Sequence, residues 1–233
     1  MLLGLVVGCG GDDAEDGPLD VYAAASLAEV FPLIDASARF SFAGSDELAT
    51  QIREGAPADV YAAASSKYPQ ELFAEELVEE PVTFASNRLL LIVPRANPAA
   101  IGSVEDVLQP DTRLVIAAEG VPVGDYTRTV LETLGLSAAL DNVVSNEDDV
   151  KGVAGKVALG EADAGFVYAT DVTPVADRVL AVELPDAAQP PIEYQVAIVV
   201  GTDDEDAARA FVEALRSETG RAALEQAGFV VPT

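Results

Sequence analysis

Tyr22-Ala-Ala-Ala-Ser-Leu27 and Phe42-Ala-Gly-Ser45 are built alike: an apolar run ends on a serine, and a helical pattern begins at once. A chain that keeps switching from a two-residue to a 3.6-residue period has few folds open to it. Short buried strands alternating with amphipathic helices pack as βαβ units on a parallel sheet. Residues 19–24, 39–43 and 59–64 read as strands, and 27–35, 46–54 and 68–77 as helices. A second unit follows, with strands at 88–94, 113–118, 142–145, 164–168 and 179–184 and helices at 104–108, 124–134 and 148–159. Pro190-Pro191 ends it, a long β run covers 192–200, and helices cover 205–216 and 219–226 before the tail at 229–231. The expected fold is α/β with two lobes joined by crossover strands. Each lobe is expected to be a mostly parallel sheet flanked by helices, residues 19–86 plus 194–233 in one and 87–193 in the other.

The serines matter because of where they fall. Open α/β sheets take ligands beyond the carboxyl ends of their strands, and the first N–H groups of a helix have no partner inside it. Ser26 and Ser45 therefore stand where hydroxyls and free N–H groups can face an anion. The plainer reading is that both are helix N-caps.

Composition removes several classes of function. With 40 acidic against 13 basic residues the formal net charge is −27, which opposes nucleic acid and anionic membrane surfaces, since both need clustered Lys and Arg. The charge does not oppose a small anion in a pocket, because surface charges are screened over roughly 8 Å at physiological salt. The 233 residues include no His and no Trp, so histidine triads, most zinc sites and tryptophan sugar platforms are out. Carboxylate metal sites and two-carboxylate hydrolases stay open, with Glu147-Asp148-Asp149 as their candidate group.

The single cysteine, Cys9, follows Val6-Val7-Gly8 at the end of an apolar run and precedes an acidic, glycine-rich stretch. This resembles the lipobox of a bacterial lipoprotein, with residues 1–18 as signal and linker and Cys9 as the lipid-bearing residue. The apolar run is too short to span a bilayer and lacks a basic start.

Five segments taken in order carry a wider resemblance: Ala23-Ala-Ala-Ser-Leu27; Phe42 to Ile52 with Gly55-Ala-Pro-Ala-Asp59; Val121-Pro-Val-Gly124; Glu147-Asp-Asp-Val-Lys151; and Gly165-Phe-Val-Tyr168. Together they resemble the periplasmic molybdate-binding protein family, the ModA-type solute-binding component of an ABC importer. The resemblance implies a type II periplasmic-binding-protein fold and no enzymatic activity. It implies capture of molybdate or tungstate, with molybdenum present only as its oxyanion and no cofactor. Ligand contacts fall on the hydroxyl and N–H groups of Ser26 and Ser45, the N–H groups of Val123 and Val150, and the phenolic O–H of Tyr168. The implied partners are an ABC transporter permease and its ATPase. The protein would be a monomer on the outer side of the cytoplasmic membrane, touching that membrane only through Cys9.

The stretch between Ser26 and Ser45 is about eight residues shorter than is usual in such proteins, so the first helix should be clipped. Asp46 and Asp125, beside the expected donors, should point away from the site, and Asp59 should serve a turn. Three rival readings stand beside this one: the same fold holding another oxyanion such as sulfate, a small carboxylate- or metal-dependent enzyme, and an oxyanion-responsive sensory domain.

Overall fold

Ten strands carry the apolar runs of the described residues, 17–232 of a computed structural model. They are β1 (Asp20–Ala24), β2 (Arg39–Ala43), β3 (Val60–Ala63), β4 (Val82–Asn87), β5 (Leu89–Pro94), β6 (Leu114–Ala117), β7 (Val143–Glu147), β8 (Ala164–Tyr168), β9 (Val179–Glu183) and β10 (Ile192–Ile198). Every residue of β3, β5, β6 and β8 is buried. Covering on both faces is why these strands read as unbroken apolar runs rather than as alternation.

The strands form two five-stranded sheets, ordered β2-β1-β3-β10-β4 and β7-β6-β8-β5-β9. In each, three strands run parallel, centred on β1 and on β6. The other pairings are antiparallel, through β10 in the first sheet and β5 in the second. Only half the pairings are parallel, so the expectation of mostly parallel sheets is corrected to mixed ones. The antiparallel half comes from chain crossing: β4 leads directly into β5, and β9 returns through Pro190-Pro191 into β10. A strand that changes sheets enters the new one against its neighbours.

Helices cover the sheets: α1 (Phe31–Ile34), α2 (Ser45–Arg53), α3 (Lys67–Ala74), α4 (Pro122–Thr133), α5 (Val150–Ala158), α6 (Ala169–Val172), α7 (Glu205–Arg216) and α8 (Glu218–Gln226). The expected helix over 27–35 is a 3-10 turn at Ala25–Leu27 followed by the four residues of α1. Pro32 opens that last turn, where its missing N–H costs nothing. Phe31 still anchors it, meeting Phe211 edge-on with ring centres 5.4 Å apart.

One further correction concerns the expected elements. Residues 82–87 are a strand that periodicity does not reveal, since Thr83, Ser86 and Asn87 interrupt its apolar side chains. The tail meets that strand through a single bridge between Ser86 and Val230. Cys9 and the expected signal segment lie outside the described residues, apart from Gly17 and Pro18. Among those residues no helix is long and apolar enough to cross a membrane.

Candidate functional site

A small cavity lies where strand ends of the first sheet face helix beginnings of the second. From the first sheet come Ala24, Ala25 and Ser26 after β1, Ala43, Gly44 and Ser45 after β2, and Ala64 after β3. From the second come Val121, Pro122 and Val123 opening α4, Asp149 and Val150 opening α5, and Tyr168 ending β8. All five residues singled out in the sequence are on this wall. The cavity volume is about 20 Å³, room for a small ion rather than an organic molecule.

Neither serine is an N-cap in this structure. Gly44 caps α2 with no side-chain hydrogen bond, and Ala24 precedes the 3-10 turn likewise. The Ser45 hydroxyl oxygen instead accepts the Ala64 N–H at 3.1 Å. An N–H can only donate, so the serine's own proton is left for the cavity. Tyr61 fixes the same residue from behind, its hydroxyl donating to the Ser45 carbonyl at 2.6 Å. Ser26 pairs its hydroxyl with that of Tyr194 at 2.9 Å.

The far wall supplies main-chain donors. Val123 and Val150 lie in the first turns of α4 and α5, where N–H groups have no intrahelical partner. Gly124 lets α4 lie flush on the end of β6, because a Cβ there would meet the Ala118 carbonyl at 2.2 Å. The Tyr168 hydroxyl is buried with no hydrogen-bond partner, and desolvation holds its pKa well above the ordinary 10.0. It is a protonated donor on a residue of the cavity wall. An unpaired buried hydroxyl is costly, so its presence calls for an acceptor in the cavity.

No lysine or arginine lines the wall, and one carboxylate does. Asp149 is the N-cap of α5, its Oδ1 accepting the Gly152 N–H at 2.8 Å, which turns the charge toward the helix. Asp125 and Asp46 are off the wall. Asp125 Oδ1 accepts the Gly120 N–H at 2.8 Å, and Asp46 is half-buried, its pKa raised by desolvation. Asp59 accepts the Asp20 N–H and the Thr202 hydroxyl at 2.7 and 2.5 Å, so instead of serving a local turn it ties together segments distant in sequence. Glu147 pairs with Lys156 at 2.6 Å. Glu147 and Asp149 thus hold local structure, and among the described residues no group of carboxylates is placed to hold a metal ion.

Sequence reasoning missed Gly44, Ala64, Asp149 and Tyr194 as parts of the site. Gly44 and Asp149 flank predicted donors in sequence and were within reach of it. Tyr194 sits 168 positions from Ser26, and no local pattern links the two.

Comparisons with known proteins agree with this architecture. The family described as "Bacterial extracellular solute-binding protein" matches residues 19–230. The molybdate-binding protein ModA of Mycobacterium tuberculosis strain H37Rv is 35% identical, covering 100% of this chain and 95% of that protein. ModA of Haemophilus influenzae is 32% identical, covering 97% and 94%. The solved periplasmic molybdate-binding protein of Azotobacter vinelandii superposes with a TM-score of 0.81 at 24% identity, over 92% of this chain and 100% of that one. This likeness shows the fold: two lobes of mixed sheet and helix. The chain therefore belongs to the bacterial extracellular solute-binding protein family, within the ModA group, and is a binding protein rather than an enzyme.

Proposed function

We propose that this protein captures molybdate or tungstate between its two lobes and delivers it to an ABC importer, a permease with its ATPase. The observation that carries the reading is the cavity's donor set. Two serine hydroxyls, a buried unpartnered phenol and two helix starts converge there with no basic side chain. Such a site suits a fully deprotonated tetrahedral dianion. A protonated oxyanion would bring an O–H that needs an acceptor, and the one wall carboxylate is engaged by its own helix. ModA relatives at 35% and 32% identity support the same ligand class.

The magnitudes are sufficient. A hydrogen bond to a charged group is worth about 1.5–3 kcal/mol net, so some seven donors give a gross figure of roughly 10–20 kcal/mol. After ordering and desolvation costs, roughly −8 to −12 kcal/mol is within reach, a micromolar to nanomolar site. We assign residues 19–86 with 194–233 to one lobe and 87–193 to the other. Closure around the ion would be the signal the transporter reads, since a ligand shifts an open–closed balance only through contacts that differ between the states. The reading includes no cofactor, a monomer, and a lipid anchor on Cys9.

Calorimetric titration with molybdate, tungstate, sulfate and phosphate tests it. One-to-one uptake of the first two at micromolar levels or below is expected, with sulfate weaker and phosphate weaker still. Absence of heat for molybdate and tungstate ends the reading, and preference for sulfate moves it to the rival anion.

A further inference from the structure

We propose that Tyr194 is a positioning residue of the site: it sets the direction of the Ser26 proton without touching the ligand itself. This inference rests on the anion-binding reading above and names how one of its donors is held. Tyr194 lies on β10, is fully buried, and stands behind Ser26 rather than on the cavity wall. The two hydroxyl oxygens are 2.9 Å apart, and distance alone leaves open which of them donates.

The surrounding groups decide it. Asn87 Oδ1 accepts the Arg88 main-chain N–H at 2.9 Å. That donor is unambiguous, so the orientation of the Asn87 amide is fixed and its NH₂ faces the other way. The NH₂ donates to Thr170 Oγ1 at 3.0 Å and to the Tyr194 oxygen at 3.4 Å. An NH₂ group accepts nothing, so a Tyr194 proton directed at Asn87 would meet two hydrogens. The buried carboxyl of Asp171 makes no hydrogen bond either. Among the described residues, the acceptor left for the Tyr194 proton is Ser26 Oγ. With that lone pair occupied, Ser26 has its own proton to send into the cavity.

The chain Arg88 N–H, Asn87, Tyr194, Ser26 thus does for one serine what the Ala64 N–H does directly for Ser45. Both hydroxyls reach the anion as donors with their rotation already settled, so little ordering remains to be done on binding. Successive hydrogen bonds in such a chain also polarise one another in a dry interior.

A double-mutant cycle in molybdate calorimetry tests the assignment. Tyr194→Phe keeps the ring, including its edge-on contact with Tyr168 at 5.8 Å, and removes the O–H. It is expected to weaken molybdate binding about three- to tenfold, the range of one net hydrogen bond. In a Ser26→Ala background the same change should cost less than twofold, because no serine proton remains to direct. Equal losses in both backgrounds would show that Tyr194 acts through packing, and overturn the proposal. Asn87→Ala supplies a second reading if Tyr194→Phe folds poorly. It should produce a smaller loss with the same dependence on Ser26, and full additivity there also contradicts the relay. Wild-type protein that takes up no molybdate removes the ligand reading and the relay together. Wild-type uptake with unchanged affinity in Tyr194→Phe removes only the relay.

Discussion

Tyr168 carries a hydroxyl that stability alone would not choose, since it is buried and without a partner. Tyr168→Phe deletes that oxygen and keeps the ring. Thermal melting of the ligand-free protein should then be unchanged or slightly higher, while calorimetry should show molybdate affinity down by about tenfold or more. A fall in melting temperature with affinity intact would assign the phenol to the fold instead. Asp171 is a second buried misfit. Lys151 approaches it at 3.6 Å, yet both carboxyl oxygens lack a hydrogen bond, and desolvation raises its pKa from the ordinary 3.8 to about 7. The folded state therefore holds this proton more tightly than the unfolded chain. Its contribution is full below about pH 4 and fades as pH rises through about 7. Asp171→Asn stays neutral throughout, so the variant's melting temperature should gain on wild type between about pH 4 and 7 and level off above that. A constant difference across that range would contradict the assignment.

At the scale of elements, the glycine before α2 governs how the halves of the site meet. Gly44 has φ −59° and ψ 140°, which any residue can adopt, so the backbone gives no reason for glycine. Its neighbour does: a Cβ there would stand 2.6 Å from the Asp148 carbonyl, just ahead of α5. Gly44→Ala should leave the melting temperature within a few degrees of wild type and weaken molybdate binding at least tenfold, because the lobes cannot approach as closely. Wild-type affinity in calorimetry would show that the contact is slack. The elements differ in how legible they are from sequence. Strands such as β5, apolar along its whole length, announce themselves. So does α7, whose bounds Glu205–Arg216 are those expected from its amphipathic pattern. β4 does not, because its polar residues are satisfied by distant partners: Asn87 by Thr170 and Ser86 by Val230. The antiparallel entries of β5 and β10 are equally silent, since the direction of a crossover is set by which sheet the strand joins.

For the whole molecule, the five residues drawn from sequence meet on one wall because each ends a strand or opens a helix on the facing edges of the two sheets. Ser26 and Ser45 were legible as strand-to-helix transitions, which are local signals, whereas Val123, Val150 and Tyr168 came only through the family resemblance. The layer behind the wall was not legible, because Tyr194, Asn87 and Tyr61 act across separations of 168, 107 and 16 positions. The net charge of −27 is compatible with an anion receptor only if binding depends on close neutral donors rather than on the surrounding field. The most direct test is a crystal grown with tungstate and its anomalous difference map. A single strong peak is expected within hydrogen-bond distance of Ser26 Oγ, Ser45 Oγ and the Tyr168 hydroxyl, flanked by the N–H groups of Val123 and Val150. A peak elsewhere, or none at a tungstate concentration that saturates calorimetry, would contradict the account.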